Sequence, residues 1–197
     1  MLSVSMTTRA KRGYEQDGKD YFFVDRESFS EIAGEGGFFE YAEIYGDLYG
    51  TPKAPVLEAL KKGRDVMLEI DVNGAMQIKG LAPEAILIFI MPPSPEALKK
   101  RIEGRGTESP ERIEQRLGLA ESEIAQLGEY HYCVVNDDLD AAISDVHAIM
   151  ALGRQSRGIP GDTAAYLRIG SNAEKIIEQY KAGSLKAGGK NATSSTN

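Results

Sequence analysis

The sequence is poor in the residues that build metal and redox centres. It holds one cysteine, Cys133, which has no second cysteine to pair with. His131 and His147 stand far apart with no cysteine at ligand spacing, which argues against a zinc site and leaves both as structural residues. No run of 18 apolar residues and no charged-then-apolar leader appears, so no membrane span or membrane partner is expected. Positive charge is also short, since 23 Lys and Arg against 30 Asp and Glu leave a net charge of −7. Broad binding to nucleic acid or anionic lipid draws on surplus cations and is therefore not expected. Any anion site must be local, and the reducing cytoplasm is the expected setting.

What is present suits a globular chain: 42% of the 197 residues are hydrophobic and 27% charged, enough apolar matter for a core. Strand-like and helix-like segments alternate, which predicts an α/β fold with a parallel sheet. Leu2–Met6 reads as a short strand. Asp25 is placed to cap a helix over Arg26–Ala33, stopped by Gly34, Gly36 and Gly37. Lys53–Lys62 reads as a second helix, with Pro55 in its first turn and Gly63 past its end. Val66–Asp71 and Ala85–Met91 are continuous apolar runs, the pattern of strands covered on both faces, and Cys133–Asn136 is a shorter one. Ser94-Pro95-Glu96 and Ser109-Pro110-Glu111 share one cap grammar and predict helices over Pro95–Glu103 and Pro110–Gln126. After Arg154 the composition shifts to a polar joint, Gln155–Gly161, then a helical stretch, Ala173–Ala182. Residues 183–197 carry too little apolar area to offset chain entropy and are expected to form a structureless tail.

Four constellations carry chemical meaning. Arg9, Lys11 and Arg12 follow the first strand beside Ser5, Thr7 and Thr8; on pattern alone a solvated basic turn is the commoner reading, and a phosphate dianion is the ligand the set would suit. Tyr45-Gly46-Asp47-Leu48-Tyr49-Gly50-Thr51, preceded by Glu40, offers hydroxyls and a carboxylate for a polar planar ring, or tyrosines packed over a turn. Glu69 and Asp71 end an apolar run on one face, where open α/β sheets bind ligands. Arg101, Arg105 and Arg116 could close over a polyphosphate, or pair with Glu103, Glu108, Glu111 and Glu114 on a wet surface.

Taken together these segments resemble the guanylate kinase family. The matching stretches are SVSMTTR at 3–9, GKDYFFV at 18–24, FFEYAEIYGDLYGTP at 38–52, VMLEIDVNGA at 66–75, FIMPPS at 89–94, RIEGRGTES at 101–109 and VVNDDL at 134–139. The resemblance covers residues 2–153. It implies a P-loop kinase-like core, a domain over 1–153 with a GMP-binding part at about 7–63 and a lid at about 97–129, an extension over 154–182 and the tail beyond. It implies that Ser5, Arg9, Arg12, Tyr21 and Tyr49 hold the GMP phosphate, and that Glu40, Thr51 and Glu69 read the guanine edge. It further implies Asp71 near the transferring phosphate, Arg101, Arg105 and Arg116 as lid arginines, Asn136 beside the ATP adenine, and Mg²⁺ arriving with ATP. The chemistry agrees, because guanine offers N–H donors that a carboxylate accepts and a carbonyl that a hydroxyl can reach.

Two departures from the family pattern stand out. Arg12-Gly13-Tyr14-Glu15 replaces the usual Arg-x-Gly-Glu. The family's first strand and its Gly-x-x-x-x-Gly-Lys-Ser/Thr phosphate loop have no counterpart in these residues, so an impaired phosphoryl transfer and an incompletely closed sheet are expected. The strand-like Ala164–Gly170 is one candidate to fill the gap. A non-catalytic guanylate-kinase-like binding module is the alternative reading. Retention of Glu69, Asp71 and Arg105 speaks for an enzyme lineage.

Overall fold

The computed structural model describes residues 1–104, 110–155, 167–168 and 173–186. They fall into two compact units, Met1–Ala85 and Ile86–Asn197, each organised around its own sheet.

In the first unit, β1 (Met6–Thr7), β2 (Phe22–Phe23), β3 (Phe38–Ile44) and β4 (Asp47–Pro52) form one sheet in the order β2-β1-β4-β3. β1 runs parallel to β2 and antiparallel to β4. β3 and β4 are a hairpin closed by Tyr45 and Gly46, whose φ values of 53° and 87° match the two left-handed positions of a two-residue turn. The hairpin is not regular. Phe38 pairs with Pro52 and Tyr41 with Gly50, so β3 carries one residue more than β4 between these pairs and bulges there. Helix α1 (Arg26–Gly34) starts as expected, with the Asp25 carboxylate accepting the Ser28 N–H at 2.7 Å. Its Phe29, 1% exposed, stacks on Phe38 at 4.4 Å between ring centroids. Burial of a ring of this size contributes about 1.5–3 kcal/mol. Helices α2 (Lys53–Lys61) and α3 (Val72–Leu81) add Val56, Ala59, Val72, Ala75 and Ile78 to the buried set.

The second unit contains β5 (Ile88–Met91), β6 (Tyr132–Val135) and β7 (Leu167–Arg168). β5 and β6 are parallel, and β7 lies antiparallel on the far side of β6. Helices α4 (Pro95–Glu103), α5 (Pro110–Ile124), α6 (Leu139–Gln155) and α7 (Ala173–Lys181) complete it. The α4 cap is the expected one, with Ser94 Oγ accepting the Ala97 N–H at 3.2 Å and Pro95 in the first turn. Val134, Ala142 and Ile149 form the core between β6 and α6, joined by Ile88, Tyr132 and Val146. Cys133, 1% exposed, lies against Met91 Sδ at 3.8 Å, and burial pushes its thiol up to about 12.

Three expectations meet a different arrangement. Val66–Asp71 is not a doubly covered strand: among the described residues its ladder is the single bridge Leu2↔Met67, with Ser3 N–H donating to the Met67 carbonyl and Met67 N–H to that of Met1. An apolar run becomes a strand only where neighbours complete its ladder, and here one neighbour meets it at one point. The described part of the extension, Leu167–Arg168, pairs with β6 and so does not lie beside Ile88–Met91; the rest of Ala164–Gly170 lies outside the described residues. At the start of the expected tail, Leu185 is 4% exposed and Ser184 N–H donates to the Gln179 carbonyl at 2.9 Å, so the chain is tied to the end of α7 there, with Gly183, Ser184 and Lys186 exposed, while 187–197 lie outside the described residues.

The ladder difference has a measurable signature. In amide hydrogen exchange, Cys133–Val135, central in a three-stranded sheet, are expected to exchange at least about tenfold more slowly than Leu68–Ile70. Equal protection of the two segments would contradict the single-bridge arrangement.

Candidate functional site

The first unit gathers the basic and phenolic residues at one place. β1 ends at Thr7, which is fully buried and whose Oγ1 accepts the Arg9 N–H at 3.2 Å, fixing the chain as it leaves the sheet. Beyond it Thr8 Oγ1 accepts the Leu48 N–H at 2.9 Å, tying the same turn to β4. The Arg9 guanidinium then lies 5.4 Å from the ring centre of Tyr21 and 5.8 Å from that of Phe23. Tyr49, opposite Thr7 in the sheet, meets Tyr21 edge-on at 6.1 Å between ring centroids. Burial, then Tyr49 and Glu69, raise the Tyr21 hydroxyl above its ordinary pKa.

Glu15 holds this cluster. Its carboxylate accepts Arg9 Nη1 at 3.1 Å and Nη2 at 2.6 Å, and the Arg12 N–H at 2.7 Å. Arg9 Nη1 also donates to the Ala10 carbonyl at 2.7 Å. The end-on fork of the guanidinium is thus committed to the protein, while the edge carrying Nε–H and the second Nη2–H faces away from Glu15. Glu15 is 7% exposed, and its hydrogen bond with Arg9 holds it below the usual carboxylate range. The same bond raises Arg9 above its ordinary value. The altered Arg12-Gly13-Tyr14-Glu15 stretch therefore still delivers its acid, with Tyr14 turned outward at 77% exposure and Arg12 Nη1 donating to its hydroxyl at 3.4 Å. Sequence reasoning singled out the arginines and not Glu15. A lone acid closing a basic turn was the available signal.

The acids sort into two places within this unit. Glu40, in the bulge, is 5% exposed, and fully buried Thr51 donates its hydroxyl to Glu40 Oε1 at 2.6 Å. Burial raises the Glu40 pKa, the Thr51 hydrogen bond opposes it, and the charge of Asp71 adds to the rise. Asp71 caps α3: its Oδ1 accepts the Gly74 N–H at 2.8 Å, and its Oδ2 accepts Asn73 Nδ2 at 3.4 Å. Glu69 is exposed and acts on Tyr21 rather than joining Glu40 by any hydrogen bond among the described residues. Ser5 is half-buried in the parallel ladder, where its carbonyl accepts the Phe22 N–H at 2.9 Å.

In the second unit, Arg101 in the last turn of α4 donates from Nη2 to the Asn136 carbonyl at 2.6 Å, so these two expected residues meet. Asn136 follows β6 and its N–H donates to the Met91 carbonyl at 2.8 Å. Arg116 is half-buried on α5, and Arg105 lies outside the described residues. His131 Nδ1 accepts the Leu87 N–H at 2.9 Å, a structural role. Among the described residues no group of three or more His, Cys, Asp and Glu is placed to hold a metal ion, and no helix is long and apolar enough to cross a membrane.

The comparisons with known proteins agree in direction. A family model described as guanylate kinase matches residues 1–152. The guanylate kinase of Thermus thermophilus is 52% identical over 160 residues, covering 81% of this chain and 73% of that protein. That of Clostridioides difficile is 48% identical over 150 residues, covering 76% of this chain and 73% of its own. The crystal structure of guanylate kinase from Anaplasma phagocytophilum superposes with a TM-score of 0.66 at 37% identity, covering 77% of this chain and 74% of that one.

The Arg9–Glu15 pair sets a pH dependence. The folded pKa of Glu15 lies below its unfolded value, so the stabilisation is complete above the unfolded carboxylate range and is lost as pH falls through the folded value. Thermal midpoints of the wild type and Glu15→Gln are expected to differ at neutral pH and to converge in acid. A gap that stays constant down to low pH would count against the pair.

Proposed function

From the premise that the chain belongs to the guanylate kinase family, whose reaction moves a phosphoryl group from ATP to GMP, we propose that its first unit is the GMP site. In this reading Arg9, Arg12, Ser5, Tyr21 and Tyr49 bind the 5′-phosphate, and Glu40 and Thr51, with Glu69, read the guanine edge. The observation that carries it is the buried Glu40–Thr51 pair, set in a bulge of the same sheet that holds the Arg9, Tyr21 and Tyr49 cluster.

Each half has a physical rationale. A dianionic phosphate needs guanidinium donors already oriented, and Glu15 holds Arg9 so that its unused edge is fixed before the ligand arrives. A guanine ring presents N–H donors to Glu40, whose buried carboxylate gains more from them than a solvated one would. Adenine offers an acceptor where guanine offers a donor, so the same carboxylate rejects it.

In the transfer, an oxygen of the bound GMP phosphate attacks the γ-phosphorus of ATP as the bond to the ADP oxygen breaks. Arg101, Arg105 and Arg116 are assigned to charge spread over the transferring group, and Asn136 to the adenine. Mg²⁺, when bound with ATP, neutralises phosphate charge and orients the phosphates. The donor set suits an ion carried mainly by the nucleotide: Asp71 has one oxygen committed to the Gly74 N–H and offers one carboxylate rather than a cage. These substrates are soluble nucleotides, and the cytoplasm is the compartment we assign.

The 197 residues contain no Gly-x-x-x-x-Gly-Lys-Ser/Thr loop. Tested by themselves they are expected to bind GMP in preference to AMP by calorimetry while releasing ADP slowly or not at all in a coupled assay. Loss of a charged hydrogen bond costs about 1.5–3 kcal/mol, so Glu40→Gln should weaken GMP about tenfold to a hundredfold. Arg9→Ala should weaken GMP and AMP alike. A wild-type chain that binds the two nucleotides equally would overturn the assignment.

A further inference from the structure

Helix α3 carries a glycine where a helix would rather have alanine. Gly74 has no positive φ to require it, and its position early in Val72–Leu81 is an ordinary helical one. The reason lies across the gap to β3. A Cβ at Gly74 would stand 2.5 Å from Glu40 Oε2, 3.1 Å from Glu40 Cδ and 3.3 Å from Asp71 Oδ1. The first of these is far inside van der Waals contact.

The helix is not free to back away. Gln77, one turn further on, is fastened to the residue after Glu40 by two bonds: Tyr41 N–H donates to Gln77 Oε1 at 3.3 Å, and Gln77 Nε2 donates to the Tyr41 carbonyl at 2.9 Å. Nor is the carboxylate free on its other side, where Thr51 Oγ1 donates to Glu40 Oε1 at 2.6 Å. Glu40 is therefore bounded by a hydroxyl on one oxygen and by a bare Cα beside the other. An added methyl would be accommodated by turning the carboxylate out of this seat.

We propose that Gly74 is a specificity-determining positioning residue, whose missing side chain seats the Glu40 carboxylate in the orientation that selects the base of the bound nucleotide. The proposal rests on the reading of Glu40 as the guanine-reading acid. Gly74 does not touch the nucleotide; it acts through Glu40, and Gln77 makes the action stiff by fixing the distance between helix and strand.

The test is Gly74→Ala in the full chain, with calorimetric titration of GMP and of AMP and a thermal midpoint. The expected result is a chain that still unfolds in one cooperative transition, with AMP affinity unchanged and GMP affinity at least about tenfold lower. Gly74→Ala combined with Gln77→Ala should recover part of the preference, because the helix can then shift. A folded Gly74→Ala chain with the wild-type ratio of GMP to AMP affinity overturns the proposal alone, and so does a variant that loses its fold. A wild-type chain with no preference for GMP removes the reading of Glu40 and this proposal with it.

Discussion

Placing one carboxylate in the interior is the constraint around which the first unit is arranged. Glu40 is 5% exposed, and a buried acid is costly unless hydrogen bonds replace its lost water. The β3 bulge puts this acid in the interior, and Gly50 opposite has no side chain because a Cβ there would meet Phe38, Tyr41 and the Glu40 carbonyl within 3.0–3.1 Å. Thr51, the next residue along β4, is fully buried and supplies the hydroxyl. Of two adjacent positions of one strand, Thr51 thus serves the Glu40 side chain and Gly50 leaves room for the backbone and rings beside it.

The phosphate-side cluster solves a different problem. Arg9 carries a charge beside aromatic rings, and a lone guanidinium there would sample many rotamers. Glu15 takes up one fork, the Ala10 carbonyl another donor, and the rings of Tyr21 and Phe23 flank the group. Ordering the cation before any ligand arrives lowers the entropy lost on binding. Electrostatically the unit then offers an oriented positive edge at one place and, at another, the Glu40 carboxyl, raised by burial and by the charge of Asp71.

Helix boundaries were legible in the sequence because their causes are local. Asp25, Ser94 and Gly63 act within one turn of the residues they cap or end, and α1, α2 and α4 fall where those signals place them. Val66–Asp71 was not legible, since a ladder depends on neighbours remote in sequence and the apolar spelling is the same with one bridge or six. Of the site, the residue types were readable and the pairings were not. Tyr49 and Thr51 stand out as hydroxyls beside glycines, yet nothing in the order of residues says that Thr51 serves Glu40, that Glu15 serves Arg9, or that Asp71 spends an oxygen on capping.

Cys133 sits in the middle of β6 with its sulfur against Met91, and its thiol is pushed up to about 12. At neutral pH the nucleophilic thiolate is almost entirely suppressed while that strand stays covered. Alkylating reagents in the surrounding medium therefore gain a target only when the second sheet opens, which gives the molecule a built-in covalent recorder of how often it unfolds.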